Sequence, residues 1–255
     1  MSHSEQAHAV RRQILQLLHQ SGGGHYGGSL SAVDILLVIW RDFLCVESER
    51  ARFVLSKGHA APALYAVMAA TGQLDPARLA PDAAASAPLP AHPEYDRAGS
   101  LSDFSTGSLG QGLSAALGMA LVKRPHGAWV LLGDGECQEG QVWEAAMLAA
   151  RLRVGNLLAV VDCNGLQEWG YREGPPVERL AEKWAAFGWR VREVDGHDPD
   201  ALTCAFTALT ANPADQPGVV LAHTIKGRGF PVIERDPVRF HCGMLEPDEY
   251  AACLA

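Results

Sequence analysis

The chain has 255 residues, 48% hydrophobic and 20% charged, which is enough for one large α/β domain with a substantial core. Its formal charge of -8 argues against a nucleic-acid backbone as the main partner, because such footprints are basic. No uninterrupted apolar run reaches the length of a membrane span. Six scattered cysteines with no CxxC point to buried thiols in a reducing cytoplasm.

Residues 1–20 read as an amphipathic helix, with the pattern clearest over 6–18, and not as a signal peptide. Further helical periodicity covers 32–43, 61–71, 109–121, 138–153, 178–187 and 200–209. Short β-like runs lie at 52–56, 128–132, 157–161, 190–194 and 219–223. Strands alternating with helices predict an α/β fold, with a mostly parallel sheet and helices on both faces. There is no internal repeat. Residues 75–103 form an irregular loop with prolines at 76, 81, 88, 90 and 93, and a loop of that length is usually functional or mobile. The tail after Gly229 lacks periodicity until 246–254.

The most informative stretch runs from residue 129 to residue 170. An apolar strand enters Gly133-Asp134-Gly135-Glu136, a helix follows, and a second apolar strand ends at Asp162-Cys163-Asn164. That order places the Asp134 carboxylate and the Asn164 amide oxygen at the carboxyl ends of two neighbouring parallel strands, where open α/β sheets bind ligands. Two hard oxygen ligands with spare positions suit Mg²⁺ completed by water and phosphate, and Ca²⁺ takes the same ligands. An acidic chain can still hold a diphosphate when a metal ion and helix N-termini supply the positive field.

Five other constellations stand out, four of them near element ends. Gly24-His25-Tyr26-Gly27-Gly28-Ser29 is a glycine-rich turn that leaves room for a ligand. Ser56-Lys57-Gly58-His59 follows a strand. Ser105-Thr106-Gly107-Ser108-Leu109-Gly110-Gln111-Gly112 opens a helix as an anion cradle; it is neither a Walker loop nor GxGxxG. His223-Thr224-Ile225-Lys226-Gly227-Arg228-Gly229 again follows an apolar strand, and Arg239-Phe240-His241-Cys242-Gly243 lies in the tail.

Taken together and in order, GHYGGS, RFVLSKGHAAPALYAV, HPE, STGSLGQG, GDGECQEG, the spaced Asn, KWAAFGW, VDGH and TIKGRG resemble the transketolase family over nearly the whole chain. SKGH and TGSLGQG set it apart from 2-oxoacid dehydrogenase α chains. The resemblance covers the diphosphate-binding half of a transketolase, residues 1–255 being one such domain with the thiamine-diphosphate-binding fold. It implies that the pyrimidine-binding and C-terminal domains, with the glutamate that activates the cofactor, are supplied by a partner chain in an α₂β₂ heterotetramer.

The resemblance further implies a transferase that moves a two-carbon ketol unit from a ketose (phosphate) donor to an aldose with thiamine diphosphate and Mg²⁺ (or Ca²⁺). Asp134, Asn164 and the Leu166 carbonyl would hold the metal. Gly28, Lys57, His59, Gly107, Ser108, Leu109, Gly133, Gly135, Glu136, Asn164, Lys226 and His241 would line the cofactor. His25, His59, His92 and His241 would handle protons and sugar hydroxyls, and Glu139 would lie toward a subunit interface. Tyr26, the run at 165–169, His223, Cys242 and the Ala/Pro-rich loop before His92 depart from the family pattern. They leave room for an unusual acceptor, such as a lipoyl or carrier-protein arm, and a non-catalytic scaffold is the third alternative.

Overall fold

The computed structural model describes residues 2–44, 51–80, 89–95, 102–122, 126–167, 170–171, 179–211 and 215–254. Parts of the proline-rich loop, including Pro81 and Pro88, the departures at Glu168 and Trp169, and Cys45 lie outside the described residues.

Helix α1 (His3–Gln20) starts from a capping box, in which Ser2 and Glu5 satisfy each other's exposed amides. Its buried stripe is Ala7, Val10, Ile14, Leu15 and Leu18. The helix expected over 32–43 is present as α3 (Val33–Val38) running on into a π-helical turn, Ile39–Phe43, and a short helix the periodicity does not show, α2 (Tyr26–Ser31), precedes it. Every residue of α2 and α3 is buried, so tertiary packing holds these pieces where a lone amphipathic stripe would not.

Strand β1 (Arg52–Leu55) leads into α4 (Ala61–Ala70), and α5 (Gln111–Val122) returns to β2 (Ala128–Gly133). Helix α6 (Gly140–Arg151) leads to β3 (Leu157–Cys163). A two-residue antiparallel pair follows, β4 (Leu166–Gln167) with β5 (Gly170–Tyr171). It is too short to show any period in the sequence. Then come α7 (Leu180–Ala186), β6 (Arg190–Asp195), α8 (Pro199–Thr210) and β7 (Gly218–His223). Between residues 230 and 245 the tail has more structure than its sequence suggests, and its last helix matches the periodicity read over 246–254. The pieces α9 (Pro231–Arg235), a 3₁₀ turn Arg239–His241 and α10 (Pro247–Leu254) are anchored by buried Ile233, Phe240 and Cys253.

The five strands run parallel in the order β1-β2-β3-β7-β6. The pleat sorts the core. Trp129, Leu131, Leu158, Val160 and Val220 face α1–α4 and α8, while Ala128, Val130, Leu132, Ala159, Val161 and Val219 face α5–α7. The chain leaves β2 and β3 toward the α5–α7 face, and leaves β1 and β7 toward the other face. Loops that depart to opposite faces splay apart, and this opens a crevice at the carboxyl ends of the strands.

Candidate active site

The two banks of the crevice enclose a cavity of about 500 Å³. One bank is built from the ends of β2 and β3: Gly133, Asp134, Gly135, Glu136, Asn164, Leu166 and Gln167. The other carries Lys57 and His59 after β1, Lys226 after β7, His25 and Gly28 at the start of α2, and His241 of the tail. His92, Gly107 and Leu109 complete the wall. All the site residues expected from the sequence therefore converge on one cavity, except Ser108, which is exposed beside it.

Asp134 ties two turns together. Its Oδ1 accepts from the Gly135 amide at 2.9 Å and its Oδ2 from the Gly165 amide at 2.8 Å. Asn164 Oδ1 accepts from the Leu166 amide at 3.1 Å, and its Nδ2 points to Asp162 Oδ2 at 3.5 Å. That carboxylate orients the amide so that Asn164 presents oxygen, not nitrogen, away from Asp162. A Cβ on Gly135 would meet Gln167 Cβ at 3.1 Å and the Leu166 carbonyl oxygen at 3.6 Å. Glycine here lets the 164–167 turn press against the β2 turn.

The resulting donor set is one carboxylate, one amide oxygen and one carbonyl, all hard oxygens of the kind Mg²⁺ or Ca²⁺ takes. Among the described residues no cluster of three His, Cys, Asp or Glu side chains stands in metal-ligating arrangement. A cation held by this set would rely on phosphate oxygens to complete its shell. Nothing lies within 4 Å of a Cβ built on Gly107, so the backbone there faces open space. These features fit a metal-bridged diphosphate.

Two further buried carboxylates brace the wall, Asp162 from behind it and Glu136 within it. Asp162 is fully enclosed and accepts from Lys57 Nζ, from Ser31 Oγ at 2.6 Å and from Thr224 Oγ1. Burial alone would raise its pKa; the Lys57 ammonium and the two hydroxyls outweigh that and hold it below the ordinary carboxylate value. Glu136 accepts from Ser56 Oγ at 2.5 Å, the Gly110 amide at 2.8 Å and the Gly133 amide at 3.0 Å. It joins the β2 turn to the start of α5. Burial pushes its pKa up, against those hydrogen bonds.

The mouth is lined by imidazoles. His25 stands 5.1 Å from His59 and 5.8 Å from His241, ring centre to ring centre. Burial lowers the pKa of all three; for His25 the next causes are His92 and the two lysines, and for His59 the first is Lys57. His241 is pushed down to about 4 by burial and then by Lys226, whose Nζ lies 2.8 Å from His241 Nδ1. At neutral pH these rings are uncharged hydrogen-bonding groups. Lys226 itself is lowered to about 8 by burial and Lys57, opposed by Asp162 and Asp134.

Asp162, Ser31, Thr224, Ser56, Gln138, Gln167 and Cys242 belong to the site or its support but are not among the site residues expected from the sequence. An acid closing the buried run 157–161 was a usable signal for Asp162. The hydroxyls carried none, because only the fold brings Ser31 and Thr224 onto Asp162.

A parallel sheet with this crevice, a glycine-flanked acid and a spaced asparagine define a diphosphate-binding α/β chain. Residues 2–253 match the family model "Transketolase, thiamine diphosphate binding domain", and the chain belongs to that family. It is thus of the transketolase type of transferase. A 6-deoxy-6-sulfo-D-fructose transketolase subunit of Clostridium sp. strain MSTE9 is 40% identical over 235 residues, covering 88% of this chain and 85% of that protein. An apulose-4-phosphate transketolase subunit of Phocaeicola vulgatus is 32% identical, covering 96% and 90%. Human transketolase is 38% identical over 89% of this chain, but this chain spans only 38% of its length. The structure of Leishmania mexicana transketolase superposes with a TM-score of 0.83 at 25% identity, covering 99% of this chain and 41% of that one.

Proposed function

We propose that this chain is the diphosphate-binding subunit of a split transketolase, moving a two-carbon ketol unit between a ketose and an aldose. The observation that carries the reading is that Asp134, Asn164 and Leu166 line one cavity together with Lys57 and Lys226. Thiamine diphosphate, when bound, supplies the electron sink that lets a carbon–carbon bond beside a carbonyl break. Asp134, Asn164 and the Leu166 carbonyl would hold the cation, Mg²⁺ or Ca²⁺. Lys226 and the Gly107–Leu109 backbone would face the diphosphate, with Lys57 held against Asp162. His25, His59, His92 and His241 would donate to and accept from sugar oxygens and carry protons at the mouth.

Two relatives bear subunit names, and they nearly match this chain in extent. That supports a second chain carrying the pyrimidine-binding and C-terminal domains. The same two names describe sugars bearing a sulfonate or a phosphate, which favours an anionic ketose over a carrier-protein arm as the substrate class. The surface of α6 supports an α₂β₂ assembly. Glu144, Met147, Leu148, Arg151 and Leu152 form an exposed stripe running from Glu139, which lines the cavity. Among the described residues no helix is long and apolar enough to cross a membrane. Cys137, Cys163, Cys204, Cys242 and Cys253 are free thiols, which fits a reducing cytoplasm.

Native mass spectrometry of the protein from its own host, followed by reconstitution, tests the reading. The expected result is a heteromer retaining thiamine diphosphate and Mg²⁺. The full chain alone should give no ketol transfer, and adding the partner should restore turnover of about 1–10³ per second. Normal turnover by the chain alone would overturn the split assignment. A heteromer that loads a lipoyl or carrier arm and ignores sugar acceptors would overturn the substrate class.

A further inference from the structure

Four consecutive residues after β7 are each pinned to a different part of the molecule. Thr224 Oγ1 donates to Asp162, and the Ile225 amide donates to His197 Nε2 at 2.9 Å. Lys226 Nζ reaches His241, and the Gly227 amide donates to the Gly27 carbonyl at 3.1 Å. Three of these ties go to the cavity or its floor. The tie to His197 does not: His197 lies outside the cavity wall, in the turn between β6 and α8.

The tautomer of His197 follows from its neighbours. A backbone N–H can only donate, so Nε2 accepts from Ile225 and carries no proton. Nδ1 then carries the proton and donates to Asp34 Oδ2 at 2.7 Å. Asp34, buried on α3, also accepts from Arg11 Nη2 at 2.5 Å and from His3 Nε2 at 3.1 Å. Despite its burial these donors hold its carboxyl well below the usual carboxylate range, so it is a fixed anion. Gly196 permits the approach. A Cβ there would meet Thr224 Cγ2 at 2.5 Å, so any other residue would push the His197 turn off the loop.

We infer that His197 is a positioning residue for the cofactor cavity. Oriented by Asp34, it holds the Ile225 amide and thereby sets the place of Lys226 and, through it, of His241. The inference rests on the cofactor reading above only for its effect on binding; the clamp itself can be measured without ligand.

The test compares H197N with H197Q in the full chain. Glutamine carries its amide one bond further than asparagine and can present an acceptor where Nε2 stands; asparagine can serve Asp34 only. Hydrogen–deuterium exchange of the 223–229 segment is read without cofactor, and thiamine diphosphate affinity is read by titration in Mg²⁺. H197N is expected to speed exchange of this segment at least tenfold and to weaken the cofactor about tenfold. H197Q is expected to stay within about threefold of the wild type on both readouts. Unchanged exchange in H197N, equal loss in both variants, or faster exchange with unaltered affinity would each overturn the inference. A wild-type chain that takes up no thiamine diphosphate would count against the proposed function, while the exchange contrast between the variants would still decide the clamp.

Discussion

Two aspartates end neighbouring strands of the same sheet and do different work. Asp162 is the last residue but one of β3, beside Gly133 in register, and Asp134 stands one residue past β2. Both are almost fully buried. Asp162 is enclosed by a lysine and two hydroxyls, so its charge is balanced within the protein. Asp134 takes backbone amides from two turns and lines the cavity. The contrast teaches that residue type and strand position do not set the role of a carboxylate here. Its partners do: a cation within the fold makes Asp162 a hub, while amide donors and a place in the cavity wall suit Asp134 to the ligand role proposed for it.

The largest expected effect comes from breaking the hub. Asp162→Ala would leave the Lys57 ammonium buried without its counter-charge, at a cost of about 3–5 kcal/mol in urea unfolding. Replacing both partners, Lys57→Met with Asp162→Leu, should recover most of that stability. It should not recover cofactor affinity, because Lys57 lines the cavity. A double variant as unstable as the single one would show that the pair is not the reason for the loss.

Breaking the other carboxylate should reverse the order of effects. Asp134→Asn is expected to weaken thiamine diphosphate binding in Mg²⁺ about a hundredfold, which corresponds to about 2.7 kcal/mol. Its folding loss should be smaller, about 1–2 kcal/mol, since one backbone amide would then face a donor. Calorimetric titration beside urea denaturation separates the two. Equal losses would erase the contrast between hub and ligand.

Lys226 sharpens the comparison through pH, because both aspartates act on it. Its folded pKa of about 8 lies below the ordinary 10.5, so between those values the unfolded chain binds more protons. Stability of the cofactor-free chain should therefore rise as pH goes from about 8 to 10.5. Affinity for the diphosphate should fall over the same range as the ammonium is lost. Lys226→Met should remove both slopes; a slope that survives belongs to another group.

The smallest effect is at acid pH. His241 is lowered to about 4 against an ordinary 6.5, so the unfolded chain takes up its proton first as pH falls. The contribution of His241 to stability is complete above about 6.5 and is lost as pH falls toward 4. His241→Gln should flatten that part of a stability–pH profile, and an unchanged profile would remove His241 as its source.

Much of the fold was legible because its signals are local. All five sheet strands were found within about two residues, since buried parallel strands are continuous apolar runs. The crossover helices were legible by their stripes, with ends adjusted by capping. Helix α5 begins at Gln111, two residues later than expected, where Gly110 takes a φ of +84°. Helix α8 begins at Pro199, under an Asp198 cap. Helix α2, the short helix α9 and the 3₁₀ turn after it were not legible, because they persist through burial of Tyr26, Ile233 and Phe240 and not through their own periodicity.

The amino-acid sequence by itself determined the alternation of strand and helix, and with it a parallel sheet whose strand ends carry GDG, Asn164, SKGH and TIKGRG. Those are properties of neighbouring residues, and spacing along the chain suffices to express them. Only the tertiary structure decided which carboxylate is balanced and which faces the cavity. Only it brought Ser31 and Lys57 onto Asp162, 131 and 105 residues away in the chain, and His197 onto Asp34 across 163. Charge balance and hydrogen-bond direction are set by contacts through space, and no local pattern encodes them.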